Sequence, residues 1–159
     1  MSYTFYVFCR KMEAPNRRAI ATFIEDGAFF DEKPQFDPSP DVSESNIADW
    51  DRLTIVYDKE RQPVVIQRHI RAGPPQKEMD ELLFILDRSS KTKAQQRVHE
   101  TLKGTKLVFT LDCVREEVTK DCWEMLDAVE SFLARECDGL VHAPPQDFFD
   151  NKLKRIYRL

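Results

Sequence analysis

The stretch Tyr3 to Cys9, which reads YTFYVFC, decides the fold because it is aromatic, aliphatic or β-branched along almost its whole length. Successive side chains of a β-strand point to opposite faces of the sheet, and this stretch is apolar on both faces. Strands of this kind are covered by other elements on both sides. The sequence therefore predicts a central strand that is buried on both faces.

The elements after this strand alternate between helical and strand patterns. Residues 15–27 and 79–86 have their apolar side chains at helical spacing. Residues 52–58 (RLTIVYD) and 63–71 (PVVIQRHIR) read as the two strands of a β-hairpin, and 106–114 (KLVFTLDCV) reads as another strand. The order β-α-β-β-α-β is that of the ferredoxin-like fold. We therefore expect an α+β, ferredoxin-like sheet in which both helices cover one face.

Further helical and strand patterns extend this basic order. Ser90 or Thr92 is placed to cap an additional helical piece, and Thr119 is placed to cap a long C-terminal helix. This C-terminal helix is available to cover the other face of the sheet, which gives three layers. Residues 152–159 predict a short edge strand or a docked tail, and the whole chain, 1–159, is expected to form one domain.

Charge is distributed in blocks, although the chain as a whole carries only −4 at pH 7. Residues 25–60 contain eleven acidic and three basic residues, a net charge of −8, whereas residues 88–106 contain six basic residues and one acidic residue, a net charge of +5. Such blocks usually form solvated or mutually paired surfaces, and an acidic block also suits a basic partner. The pI near 5.5 argues against nucleic acid as a partner.

The segment 28–51 has no regular hydrophobic period and contains three prolines, so it predicts a long loop that is dispensable for the fold. Aromatic residues lie among its acids, and aromatics can anchor an interface while carboxylates steer a basic partner. The candidate binding residues of this loop are Phe30, Phe36, Asp37 and Asp41. The alternative is that the aromatics pin the segment to the core, which is favoured for Trp50 because it directly precedes a strand.

A second group of candidate binding residues lies on one face of the second hairpin strand. The alternation of residues 63–71 places Gln67, His69 and Arg71 on the same side, where they could bind an acidic ligand or a partner. The alternative is a solvated face, or a face covered by the C-terminal helix. Arg68 lies on the opposite side, which should meet the core, and the pattern leaves its position unexplained.

The sequence lacks the short motifs by which several classes of enzyme are recognised. The four glycines lie at the ends of elements, so there is no Gly-rich phosphate loop, and the four cysteines show no Cys-x-x-Cys spacing. We therefore predict no catalytic residue, no metal site and no cofactor.

The chain has no apolar run near the roughly 20 residues of a membrane span, and its first residues lack the pattern of a signal peptide. We expect a cytoplasmic protein with free thiols and no membrane contact.

The residues Cys137-Asp138-Gly139-Leu140-Val141, followed by Phe148-Phe149-Asp150, form a pattern of helix end, glycine, short strand, aromatic residues and Asp. This pattern resembles the C-terminal segment of small bacterial α+β proteins of unknown function. The resemblance implies a bacterial or mobile-element accessory protein, and it carries over no catalytic residue.

These patterns lead to two hypotheses for the function. The first is a non-enzymatic binding or protein-interaction module, for example an inhibitor or immunity-type protein for a basic partner. The second is a small-ligand-binding or enzymatic α+β domain with its pocket between the sheet and the 28–51 loop. A deep pocket with converging titratable groups favours the second hypothesis, and a flat acidic surface with exposed aromatics favours the first. Open sheet edges also predict a homo-oligomer, with 63–71 and 152–159 as candidate surfaces.

Overall fold

An eight-stranded antiparallel sheet forms the centre of the protein in the computed structural model, which describes residues 1–70 and 73–159. Its strands are β1 (Ser2–Cys9), β2 (Gln35–Asp37), β3 (Arg52–Val56), β4 (Val64–Ile70), β5 (Leu107–Val114), β6 (Gly139–Ala143), β7 (Asp147–Phe149) and β8 (Arg155–Arg158). Their order across the sheet is β2-β3-β4-β5-β1-β6-β7-β8. The helices are α1 (Arg17–Gly27), α2 (Gln76–Asp87), α3 (Lys93–Lys103) and α4 (Lys120–Cys137), and a 3₁₀ helix spans Ser43–Asn46.

Strand β1 occupies the predicted central position, between β5 and β6. Its side chains alternate between two apolar cores: Val7 and Cys9 are fully buried in one core, and Phe8 is fully buried in the other. The prediction of a central strand that is buried on both faces is therefore confirmed. The hairpin of β3 and β4 is present as well, with Leu53 opposite Ile66.

The order of the strands corrects the ferredoxin-like expectation, and only the α+β class of that prediction is confirmed. In the ferredoxin-like order the first strand lies between the third and the fourth, whereas here β4 pairs with β5, and β1 lies beyond β5. The reason is that two helices, α2 and α3, connect β4 to β5. The first helix leads the chain away from the end of β4 and the second leads it back, so β5 begins at the end of the sheet where β4 finishes. Leu107 at the start of β5 therefore lies opposite Ile70 at the end of β4. A single helix would deliver the chain to the other end of the sheet.

The helices form a layer on each face of the sheet. Helices α1 and α4 share one core, which includes Ile20, and helices α2 and α3 share the other core, which includes Met79. The structure thus has three layers as expected, but α1 shares its face with α4, not with α2. Thr92 and Thr119 cap α3 and α4 as predicted, and each hydroxyl oxygen accepts a hydrogen bond from the backbone N–H three residues further on.

The segment 28–51 contains two short regular elements within an otherwise irregular stretch. It contributes β2, which pairs with β3, and the 3₁₀ helix. Trp50 is buried, and its indole N–H donates to the Pro15 carbonyl oxygen at 3.0 Å. Arg68, whose position the pattern left unexplained, donates from Nη1 to the Asp49 carboxylate at 2.8 Å. The end of the segment therefore belongs to the core, as was favoured for Trp50.

Three short strands complete the sheet after α4. Asp138 ends α4 in the left-handed conformation (φ 51°), and Gly139 follows at a place where a Cβ atom would lie 2.5 Å from the Phe8 carbonyl oxygen. Strand β7 has no counterpart in the sequence prediction, whereas β8 forms the predicted edge strand. Strand β4, the other predicted surface for self-association, is paired on both sides, so its edge is not free for a second copy.

Candidate binding sites

A broad groove lies at one end of the sheet, between the 28–51 segment, the β3–β4 turn and the start of α4. We call it the acidic groove. Its volume is about 570 Å³, which lies within the range of roughly 300–1,000 Å³ that is typical of ligand pockets. A depression between the sheet and the 28–51 segment was expected if the chain binds a small ligand, and the acidic groove has this position.

Carboxylates dominate the lining of the acidic groove. The lining contains Lys33 and Lys59 and five carboxylates, those of Asp31, Glu32, Asp58, Glu60 and Asp121, so its formal net charge is −3. All seven of these residues are exposed, so their charges remain hydrated and act on a partner through a field that salt screens. The groove is therefore suited to a positively charged ligand.

Two aromatic side chains pack together in the acidic groove. The rings of Phe30 and Tyr57 stack with their centroids 5.6 Å apart, and the Tyr57 hydroxyl donates to the Glu117 carbonyl oxygen at 3.3 Å. Both residues are half-buried and pack against the core, which fixes their positions. A partly exposed aromatic ring beside carboxylates is a favourable place for a Lys or Arg side chain.

The buried thiols near the acidic groove are neutral. Cys122 lies next to Tyr57, and burial raises the pKa of its thiol to about 12. Burial likewise raises the pKa of the Cys113 thiol to about 11 and the pKa of the Tyr57 hydroxyl well above its ordinary value. All four cysteines are buried and free, in agreement with the prediction of free thiols. A thiol must ionise to act as a nucleophile, so these groups do not favour covalent catalysis.

The structure distributes the candidate residues of the 28–51 segment over two places. Phe30 lines the acidic groove. Phe36 lies on β2, opposite Ile55 of β3, and packs half-buried against the core. Asp37 and Asp41 are exposed and lie outside the lining of the groove. The aromatic anchor and the steering carboxylates predicted for this segment are therefore not one cluster.

Most of the acidic groove comes from residues that the sequence analysis did not single out. Asp31 and Glu32 belong to the 28–51 segment, but Asp58 and Glu60 follow β3, and Asp121 lies in the first turn of α4. The high acid content of residues 25–60 was a signal for the first four, although it names no particular side chain. No sequence pattern pointed to Asp121, because it lies far along the chain from the other four carboxylates.

A narrower cleft lies on the face of the sheet that α2 and α3 cover in part. We call it the sheet-face cleft. Its volume is about 190 Å³, and its lining includes Thr4, Tyr6, Gln67, His69, Thr110 and Asp112 of the sheet and Glu78 of α2. The predicted residues Gln67 and His69 therefore lie together in one site. Arg71, the third residue of that prediction, lies outside the described residues.

The strand register explains why these polar side chains meet. Gln67 lies opposite Thr110, and Thr110 lies opposite Tyr6, so the three form a row across β4, β5 and β1. In the next row, the Thr4 hydroxyl donates a short hydrogen bond to the Asp112 carboxylate. Thr4, Thr110 and Asp112 interrupt otherwise apolar strands, which is the sequence signal that marks them. Alternation places them on a face, but it does not show which strands are neighbours.

The ionisable side chains of the sheet-face cleft are partly withdrawn from water. Burial lowers the pKa of His69, whose Nε2 lies 3.1 Å from Thr110 Oγ1. Burial raises the pKa of the Glu78 carboxyl group, and the negative charge of Glu81 adds to this effect. The cleft thus disfavours charge on its own side chains unless a partner of opposite charge is present.

Comparisons with known proteins give no match from which a function could be transferred, so the function is inferred from these two sites. No family model, curated protein or solved structure matches the chain, and the resemblance of the C-terminal segment stays a prediction. Within residues 1–70 and 73–159, no group of His, Cys, Asp or Glu side chains is arranged to hold a metal ion. In the same residues, no helix is both long enough and apolar enough to cross a membrane.

Proposed function

We propose that the protein is a non-enzymatic binding module that takes a basic segment of a protein partner into the acidic groove. The observation that carries this proposal is a concave surface with five carboxylates around the stacked rings of Phe30 and Tyr57. An inhibitor or immunity-type protein for a basic target is the concrete form of this function.

The charge pattern supports a basic partner. Four of the five carboxylates lie within residues 25–60, which carry a net charge of −8, and all five are exposed. An exposed ion pair contributes only about 0.2–1 kcal/mol, but several together raise the association rate and select among partners. We therefore expect association to be faster at low salt than at high salt.

The aromatic pair supports a protein segment as the ligand. A Lys or Arg side chain over the exposed surface of Phe30 or Tyr57 gains roughly 0.5–1 kcal/mol, and its aliphatic stem can cover the same rings. A groove of about 570 Å³ has room for more than one such side chain. A segment with several Lys or Arg residues thus uses both the charge and the rings.

A small-ligand or enzymatic role for the same groove is the second candidate, and the volume of the groove supports it. Exposed carboxylates would favour a polyamine as the small ligand. Catalysis has less support, because the Cys122 thiol and the Tyr57 hydroxyl beside the groove are neutral at pH 7. The relative affinities for a basic peptide and for spermine distinguish the two candidates.

Fluorescence anisotropy with a labelled peptide of alternating Arg and Ser residues tests the proposal. The test variant is Asp31→Asn/Glu32→Gln, and the matched control is Asp37→Asn/Asp41→Asn, which removes the same charge from exposed positions outside the groove. The loss of two exposed ion pairs at roughly 0.5 kcal/mol each predicts a rise in Kd of about 5-fold or more for the test variant. The control should change Kd by less than about 2-fold.

Equal weakening by the two double variants would show that the peptide responds only to the overall charge, and the proposal would be wrong. An acidic peptide of the same length is the negative probe, and its binding would contradict the proposal as well. If spermine binds at least as tightly as the basic peptide, the small-ligand role replaces the protein-binding role.

A further inference from the structure

A buried histidine lies directly behind the sheet-face cleft. His142 of β6 has a fully buried side chain, and its ring stacks on Phe148 and Phe8 with centroid distances of 4.4 and 6.3 Å. Its Nδ1 lies 3.0 Å from the Asp147 carbonyl oxygen, whereas its Nε2 has no hydrogen-bond partner among residues 1–70 and 73–159. Nε2 faces Oε1 of Glu78 at 3.8 Å, and Glu78 lines the cleft.

The hydrogen bond at Nδ1 determines which nitrogen of His142 carries the proton. A carbonyl oxygen only accepts hydrogen bonds, so Nδ1–H donates to Asp147, and Nε2 of the neutral ring presents a lone pair. Burial lowers the pKa of His142 to about 4, so the ring is neutral at pH 7. A buried acceptor therefore faces the carboxyl group of Glu78. Leaving such an acceptor unpaired costs about 1–3 kcal/mol.

The charged groups of the described lining of the cleft are carboxyl groups, and the rest of its polar lining consists of hydroxyl, amide and imidazole side chains. Glu78 and Asp112 both contribute carboxyl groups, and the described lining of the cleft contains no lysine or arginine. A ligand that brings N–H donors and a positive charge would satisfy Nε2 and Glu78 together. The volume of about 190 Å³ is below the range of roughly 300–1,000 Å³ for drug-sized ligands, so the ligand has only a few heavy atoms.

We propose that the sheet-face cleft binds a small organic cation, a primary ammonium or guanidinium group, whose N–H groups donate to Glu78 and, when the half-buried Glu78 side chain moves toward the cleft, to the otherwise inaccessible Nε2 of His142. Asp112 adds a second carboxylate to the same lining. The described linings of the cleft and the acidic groove have no residue in common, so this site is independent of the function proposed for the groove.

NMR of the ¹⁵N-labelled imidazole groups in the intact protein tests the site, with methylammonium chloride and guanidinium chloride as the probes. We expect a saturable shift of the His142 Nε2 resonance. The Kd should lie in the millimolar range, because a very small ligand gains at most about 1.5 kcal/mol per heavy atom. Sodium chloride at the same concentration controls for ionic strength, and sodium acetate tests whether the cleft prefers an anion.

A matched pair of variants tests the role of Glu78. Glu78→Gln removes the carboxylate and keeps the shape of the side chain, whereas Asp80→Asn removes a carboxylate from an exposed position of the same helix. Hydrogen bonds to a charged group contribute about 1.5–3 kcal/mol, so we expect Glu78→Gln to raise the Kd of either probe by about 10-fold or more. Asp80→Asn should raise it by less than about 2-fold. Glu78 is only half-buried, and thermal unfolding without probe verifies that both variants are folded.

Three results would overturn the proposal. The first is a His142 shift that sodium chloride reproduces, or no saturable shift with either probe. The second is an unchanged Kd in folded Glu78→Gln. The third is saturable binding of acetate instead of the cations, which would assign the cleft to anions.

Discussion

The acidic groove and the sheet-face cleft differ in how far their ionisable groups are withdrawn from water. The carboxylates of the groove are exposed, whereas Glu78 of the cleft is half-buried and His142 behind it is fully buried. Exposed charges act through a field that salt screens, whereas buried groups lose hydration and shift their pKa values. Binding in the groove should therefore depend on salt, and the region of the cleft should respond to pH.

The largest expected effect concerns the segment that forms one side of the groove. Trp50 at the end of this segment is buried, with its ring 5.8 Å from that of Phe109. Trp50→Ala should lower the free energy of unfolding by about 3–5 kcal/mol in urea denaturation, because it removes a buried aromatic side chain. Asp41→Asn, at an exposed position of the same segment, should change it by no more than about 0.5 kcal/mol. If Trp50→Ala is equally mild, the segment is dispensable for the fold.

In the region of the cleft, the buried neutral His142 predicts a loss of stability in acid. Its pKa is about 4 in the folded protein and 6.5 in its ordinary state, so between these pH values the unfolded chain binds more protons. Stability therefore falls as the pH falls through this window. One pKa unit corresponds to about 1.4 kcal/mol, so the loss between pH 7 and pH 4 reaches roughly 3 kcal/mol.

Urea unfolding at pH 7 and pH 4 checks this expectation in the natural protein and in His142→Gln. The difference between the two pH values should shrink in the variant. An NMR titration of the His142 ring gives a second measurement that does not depend on the variant's stability. A pKa of His142 near its ordinary value would contradict the prediction.

On the opposite face of the sheet, α4 buries the carboxyl group of Glu130. Its effect on stability changes with pH in the direction opposite to that of His142. Glu130 is 2% exposed, its Oε2 has no hydrogen-bond partner in the part of the chain that the structure describes, and burial raises its pKa well above the ordinary value. The folded protein then holds a proton that the unfolded chain releases, so stability falls as the pH rises past the ordinary pKa of Glu. Glu130→Gln should raise the free energy of unfolding at pH 7 by about 1–2 kcal/mol and should give little gain at pH 4.

Thermal and urea unfolding of Glu130→Gln at both pH values measure this gain. Glu124→Gln, at an exposed position of the same helix, is the matched control and should change stability by no more than about 0.5 kcal/mol. A variant that is less stable than the natural protein at pH 7 would show that the Glu130 carboxyl group contributes favourable interactions.

The sequence was sufficient for features that depend on one segment at a time. The apolar stretch Tyr3–Cys9 predicted its own burial on both faces, and Thr92 and Thr119 predicted their helix caps, because strand alternation and capping are local. The order of the strands depends on α2 and α3 returning the chain to the end of β4, which places Leu107 opposite Ile70. Local patterns cannot show this return, because it depends on how two helices pack on the sheet.

Local sequence patterns were likewise insufficient to predict which distant residues meet in the two candidate sites. Gln67 and His69 share one face of a strand, so alternation predicted them together. Glu78 and His142 meet that face only through the packing of α2 and β6, which are distant in sequence. The carboxylate of Asp121 likewise meets the 28–51 segment only in the folded chain.

The smallest expected effect is the difference in salt response between the two sites. The Debye length falls from about 10 Å at 0.1 M to about 3 Å at 1 M ionic strength, so exposed charges interact less at high salt. Raising sodium chloride from about 0.05 M to about 0.3 M should raise the Kd of the Arg-Ser peptide several-fold. The Kd of guanidinium in the cleft, where the charges are partly desolvated, should change by a smaller factor. Equal responses would remove the distinction between the sites.

A crossed titration of both variants with both probes tests the central claim, that the chain has two separate binding sites of different kinds. Asp31→Asn/Glu32→Gln should raise the Kd of the Arg-Ser peptide by about 5-fold or more and leave the Kd of guanidinium within about 2-fold of its original value. Glu78→Gln should raise the Kd of guanidinium by about 10-fold or more and leave the Kd of the peptide within about 2-fold. If each variant weakens both probes by the same factor, binding reflects net charge alone and the claim of two sites is contradicted.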